Sequence, residues 1–233
     1  MTRWLLILFY CVFTGDIISA QQERTEITLP HNGFRNVMTY DARNNKISDI
    51  EQEFLDNTWR NIGINKATYD EHNNVLSSVS QSGWQCFFTY DKRNNQTSFV
   101  RQYRYDSVYT NYERYYYTYD TNNTKRSELL QTWKENKWVN KSQSFFSHEL
   151  RLEKVWSGEK WVNSRQNIFT YDARGNTTCQ LCQNWNGKKW VNQERWLYTF
   201  DDNNKQTGYS DQIWKDTQWG PWQPMRDGVP HGN

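Results

Sequence analysis

A tripeptide that returns at near-constant spacing governs how this chain can fold. Thr-Tyr-Asp or Thr-Phe-Asp occurs six times, ending at Asp41, Asp70, Asp91, Asp120, Asp172 and Asp201. A degraded copy, Ser147-His148-Glu149, stands between the fourth and the fifth. Successive copies lie 29, 21, 29, 29, 23 and 29 residues apart. A fixed period of this length marks a supersecondary unit that buries its faces only against neighbouring copies.

The chemistry of the unit starts at its turn. Three residues after each of the six Asp stands Asn44, Asn73, Asn94, Asn123, Gly175 or Asn204. Asn and Gly are the residues that accept positive φ most readily. Asp opens a type I turn well, because its carboxylate caps the amides ahead of it. A type I turn closed by a left-handed residue is a common three-residue hairpin loop with a bulge. A second landmark, Phe54, Trp133, Trp185 or Trp214, falls 13 residues after an Asp, and five further on comes Trp59, Trp138, Trp190 or Trp219. The shortened copy keeps the pair as Trp156 and Trp161, whereas the third copy has Arg104 and Tyr109. Turn-forming residues such as Asn186-Gly187-Lys188-Lys189 lie between the two rings, so this is the hairpin loop at the other end.

The two loops together predict a register. Setting Trp185 opposite Trp190 sets Gln183 opposite Asn192. The same construction pairs Gln52 with Asn61, Gln102 with Asn111 and Gln131 with Asn140, and sets Lys154 against Asn163. Four hairpin ends thus have an amide pair one rung inside the landmark pair, and cross-strand pairs of this kind contribute about 0.2–1 kcal/mol each. Carried on without interruption, the register places Tyr171, Cys179, Leu181, Glu194, Trp196, Tyr198 and Phe200 on the same face as the Trp pair. The other face then carries Val139, Phe145, Val162, Ile168, Val191 and Leu197 among polar residues. The ring-rich face is the expected core. Aliphatic content supports that: hydrophobic residues are only 36% of the chain but aromatics are 17%, so a core has to be made of rings.

The expected fold class is all-β: tandem antiparallel hairpins forming a curled or barrel-like meander, since about ten strands is the usual limit of an open twisted sheet. The expected division is a signal peptide over 1–20, a lead-in over 21–35, the repeat domain over 36–219 and a tail over 220–233. Arg3, the apolar run Trp4 to Phe13 and Ile18-Ser19-Ala20 before Gln21 give the first segment the form of an export signal. No later stretch reaches the roughly 18 apolar residues of a membrane helix, so no span is expected after signal removal. Secretion or the cell surface is the expected destination, with the periplasm as the alternative.

Tyr-Thr-Tyr-Asp-x-x-Gly-Asn followed by Trp-x4-Trp-Val-Asn resembles secreted repeat proteins of Bacteroidetes-type bacteria. Thr170 to Asn176 and Trp185 to Asn192 carry the likeness, which runs over roughly residues 36–219. A more distant likeness links the Tyr-Asp turn to the YD repeats of RHS-type shells and toxin-complex proteins, which lack the Trp-x4-Trp-Val-Asn element. The resemblance implies export and a β-rich surface role, and brings no catalytic residue with it.

Little in the chain suggests chemistry. His31, His72, His148 and His231 are scattered, and His148 stands where the repeat has Tyr. No metalloprotease, nucleophile-elbow or phosphate-loop motif is present. No enzyme activity and no cofactor or metal is expected: each turn brings one carboxylate, whereas Ca²⁺ takes six to eight oxygens. Once the signal is removed Cys86, Cys179 and Cys182 remain, an odd number that does not make a disulfide framework. A net charge of +2, with the basic residues dispersed, gives no field for nucleic acid. Asn95, Asn122, Asn140 and Asn176 lie in Asn-x-Ser/Thr sequences, incidental in a bacterial protein.

Two functional expectations follow. The first is a structural or adhesive surface scaffold with cell-surface protein partners. The second is a carbohydrate-binding module, with Trp133/Trp138, Trp156/Trp161, Trp185/Trp190 and Trp214/Trp219 as sugar platforms and the Gln/Asn pairs as hydroxyl partners. A transmembrane barrel is disfavoured by Lys141, Gln193 and Arg195 at outward positions.

Overall fold

The computed structural model describes residues 4–6, 23–28, 30–221 and 223–224. Every regular element among them is a strand, and the paired strands run antiparallel. Among the described residues no helix is long and apolar enough to cross a membrane. The chain forms two compact units, residues 1–115 and 116–233.

In the first unit the strands are β1 (Trp4–Leu6), β2 (Arg24–Thr28), β3 (Phe34–Tyr40), β4 (Lys46–Leu55), β5 (Thr58–Tyr69), β6 (Val75–Val79), β7 (Trp84–Tyr90) and β8 (Gln96–Tyr105). Strand β9 (Val108–Tyr119) begins there and ends in the second unit. From β2 to β9 each strand pairs with the next in sequence. Apart from β1, whose backbone pairs with β2, the expected signal segment lies outside the described residues. The second unit continues with β10 (Lys125–Lys134), β11 (Lys137–Phe146), β12 (Leu150–Trp156), β13 (Trp161–Tyr171), β14 (Thr177–Trp185), β15 (Trp190–Phe200), β16 (Gln206–Lys215), β17 (Gln218–Trp219) and β18 (Gln223–Pro224). Here too successive strands pair, as far as β17, and β18 returns to pair with β16.

The Asp turns form as their chemistry dictates. In the fifth copy the Gly175 amide donates to Asp172 O at 3.1 Å and the Asp172 amide donates to Asn176 O at 3.0 Å. Asp172 Oδ1 accepts from the Arg174 and Asn176 amides, both at 2.9 Å, and Oδ2 accepts from Asn176 Nδ2 at 2.9 Å. The left-handed position is occupied at Asn44 (φ 69°), Asn73 (67°), Asn94 (64°), Asn123 (62°), Gly175 (85°) and Asn204 (62°). The turns are also stitched to one another: Asn45 Nδ2 donates to Asn73 Oδ1 at 2.8 Å, and Asn176 Nδ2 to Asn204 Oδ1 at 3.0 Å. At the ring end, the four loops beginning at Asp56, Asp106, Glu135 and Asp216 are two-residue turns with both φ positive, the hairpin turn that matches strand twist.

Five of these turn carboxyls are held below their ordinary value. Hydrogen bonds from Asn45, Asn74, Asn95 and Asn176 side chains are the main cause at Asp41, Asp70, Asp91 and Asp172, and the Thr124 amide is the main cause at Asp120. A depressed folded-state pKa contributes stability that is complete above the unfolded value, about 3.9, and is lost as pH falls through the lower folded values. The urea midpoint should therefore hold steady from neutral pH to about 5 and drop below about 4. A midpoint unchanged at about pH 2 would contradict this account of the turns.

The register of the faces differs from expectation in one systematic way. Trp185 lies opposite Trp190 and Gln183 opposite Asn192, but Cys182 then lies opposite Glu194, leaving Gln193 as an extra residue. A second bulge falls near each Asp turn, where Tyr171 faces Thr177 but Thr170 faces Cys179. The same two slips recur at Ile62, Lys141 and Ser164 and at Ile47, Leu76, Thr97 and Thr207. One extra residue inverts every side chain beyond it. Tyr171, Glu194, Trp196, Tyr198 and Phe200 therefore lie on the face opposite Trp185 and Trp190, whereas Cys179 and Leu181 stay with the ring pair.

Burial also corrects the expected core. Among the apolar side chains described, only Met38 (8% exposed) and Cys182 (1%) are buried. Both belong to the face opposite the ring pairs, with Glu113, Ser144 and Asn167. The eight paired Trp side chains are half-buried. Neither face is a sealed core, and the paired rungs hold the sheet.

Candidate functional site

The second unit concentrates the residues singled out by the repeat. Its four ring-end loops join β10/β11, β12/β13, β14/β15 and β16/β17. Following parity through the bulges puts all four ring pairs on one face, two strands apart, or about 9.5 Å. Ring centroids are 5.0 Å apart in Trp133–Trp138, 5.2 Å in Trp156–Trp161, 5.2 Å in Trp185–Trp190 and 5.0 Å in Trp214–Trp219. Interplanar angles of 68–76° make each pair edge-to-face, the arrangement favoured by the ring quadrupole. Phe54–Trp59 repeats the motif in the first unit at 5.1 Å, and there Phe54 is 45% exposed.

The amide pairs form at all four predicted places. Gln52 Nε2 donates to Asn61 Oδ1 at 2.7 Å and Gln102 Nε2 to Asn111 Oδ1 at 2.9 Å. In the second unit Gln131 reaches Asn140 at 2.7 Å and Gln183 reaches Asn192 at 2.8 Å. Lys154 lies opposite Asn163 as expected.

A third column joins three of the rows, and sequence reasoning missed it. Gln166 Nε2 donates to Gln183 Oε1 at 2.5 Å, Arg195 Nε to Gln212 Oε1 at 2.7 Å and Arg35 Nε to Gln52 Oε1 at 2.7 Å. Each donor stands six residues before an Asp. That position holds Arg35, Gln85, Arg114, Gln166 and Arg195, with Ile64 the exception. The signal was therefore present, but strict alternation placed these residues on the wrong face. Gln212 was missed for a related reason: its expected Asn partner is Pro221, and it donates instead to Gly220 O at 2.8 Å. The Arg residues also cover neighbouring rings, Arg35 over Trp59 at 4.2 Å and Arg195 over Trp219 at 4.5 Å from the centroid.

The other face carries ion pairs. Arg101 Nη2 meets Glu113 Oε1 at 2.6 Å while the guanidinium lies 4.4 Å from the Trp84 centroid. Arg165 Nε donates to Cys182 Sγ at 3.0 Å, and burial pushes the Cys182 thiol up. Cys179 and Cys182 belong to opposite faces, as expected of residues three apart on a strand. Among the described residues no three His, Cys, Asp or Glu side chains gather as a metal site requires.

No family model and no curated protein matches this sequence. Solved structures resemble it at low identity. A Bacteroides fragilis protein of unknown function is 18% identical over 49% of this chain and 93% of its own, with a TM-score of 0.41. A porin-like protein from Bacteroides uniformis is 9% identical over 89% of this chain and 93% of its own, also at 0.41. The Photorhabdus luminescens Tc holotoxin pore is 11% identical over 84% of this chain and 16% of its own, at 0.28.

Proposed function

We propose that this chain is an exported, non-catalytic scaffold that presents its sheet faces to a surface or to partner molecules. One observation carries the reading. On the ring face the functional-looking side chains are engaged with one another, ring on ring, amide on amide and guanidinium on ring. Groups used in this way hold a sheet together; they are not poised to transfer protons or attack a substrate.

A second reading, carbohydrate binding, has a specific observation in its favour. Asn61, Asn140 and Asn192 accept through Oδ1, and their Nδ2 groups make no other bond among the described residues. These donors sit beside half-buried Trp rings, the combination a sugar hydroxyl and ring face would use. Tryptophan emission separates the two readings. The scaffold predicts emission that β-linked oligosaccharides leave unchanged, together with an empty glycan array. A saturable glycan-induced shift, abolished by Asn192→Leu, would replace the scaffold reading with the carbohydrate one.

A further inference from the structure

The shortened second copy opens a gap in the first unit. Its step of 21 residues is eight short of the full 29, and the loss falls at the ring end. Strands β6 and β7 are consequently 5 and 7 residues long between β5 and β8, of 12 and 10 residues. Strand β5 pairs with β6 only from Lys66 to Tyr69, so among the described residues no strand lies beside its edge from Thr58 to Asn65 on that side. Where other copies place a ring pair, this one leaves a slot of about 430 Å³, lined by Ile62, Ile64, Lys66, Gln81 and Arg104 among others.

We propose that this slot is a docking site for an extended, acidic peptide segment of a partner protein, which adds to β5 as a strand. Three observations select that occupant. On either side of the Ile62 bulge this edge is backbone unpaired by any strand among the described residues, the requirement for strand addition. The group that reaches it from within the chain is itself an amide: Gln81 Nε2 donates to Ile62 O at 3.0 Å, so this carbonyl already takes an amide donor from outside its own strand pair. Gly63 makes room for it, since a Cβ there would lie 2.1 Å from Gln81 Oε1. The charge is one-sided. Lys66 and Arg104 are exposed on the lining, no carboxylate lines the slot, and neither cation has an ion-pair partner among the described residues. A second copy would bring the same cations to the same edge, so like-charge repulsion guards it against self-pairing. Ile62 and Ile64, each 39% exposed, supply apolar contact for alternate side chains.

The test uses the full chain and labelled synthetic peptides: alternating Val and Glu, alternating Val and Lys, and the Val/Glu peptide with proline at alternate positions. Fluorescence anisotropy should show the Val/Glu peptide binding at least about tenfold more tightly than the other two. Hydrogen exchange across 58–65 should slow only with that peptide. Lys66→Glu with Arg104→Glu, both at exposed positions, should transfer the preference to the Val/Lys peptide. Equal binding of the proline peptide, unchanged exchange across 58–65, or no binding of any peptide would overturn the proposal. So would exchange already slowed by raising the protein concentration alone, which would give the slot to a second copy. The ring face of the second unit plays no part, so its glycan results stand or fall separately.

Discussion

Trp185→Ala should destabilise the second unit by about 2–3 kcal/mol, somewhat below the roughly 3–5 kcal/mol of a fully buried Trp, because the ring is half-buried. Trp185 and Trp190 meet edge-to-face at 5.2 Å across the hairpin end. Either truncation removes the same contact, so a double-mutant cycle should return a coupling of about 0.5–1.5 kcal/mol. Repeat arrays transmit such losses to nearest neighbours, so hydrogen exchange should quicken in β12–β16 while the first unit stays protected. If the rings were only an exposed platform, the truncations would leave the urea midpoint nearly unmoved. That result would sink the structural role assigned to the ring pairs and return them to the carbohydrate reading.

Gln212→Leu carries the next largest expected effect, a loss of about 2 kcal/mol. Gln212 is 6% exposed, accepts from Arg195 Nε at 2.7 Å and donates to Gly220 O at 2.8 Å. Leucine fills the space but removes the acceptor of Arg195 Nε and the donor to Gly220 O. Loss of a charge-assisted bond costs more than loss of a neutral one. Gln212→Glu separates the two bonds, because a carboxylate still accepts from Arg195 but cannot donate to Gly220. The exciton signal of Trp214 and Trp219 in circular dichroism reports the local consequence, since Arg195 covers Trp219. Equal stability of Gln212→Leu and the parent would show that the row of amides contributes nothing at this end of the array.

These rows show why part of the architecture could be read from the residues and part could not. Turn chemistry acts over a few residues. Asp172, Gly175 and the Asn residues at matching positions therefore announce their conformation locally, and the ring and amide partners that flank each loop follow from it. The predicted pairs Gln52/Asn61, Gln102/Asn111, Gln131/Asn140 and Gln183/Asn192 all form for that reason. The extra residues at Gln193 and Thr178 belong to no turn motif. They arise where two turns of fixed geometry must be reconciled with one twisted ladder, and a single residue of slip sends Tyr198 and Phe200 to the other face.

The periodic residues alone thus settle the strand order, the loops and the pairs beside them, because each depends on neighbours close along the chain. Which face buries its side chains, which Arg or Gln completes an amide row, and that a shortened copy leaves an open β5 edge are matters of how strands of unequal length lie side by side. Those outcomes depend on backbone twist and on groups far apart in sequence, and only the assembled sheet brings them together.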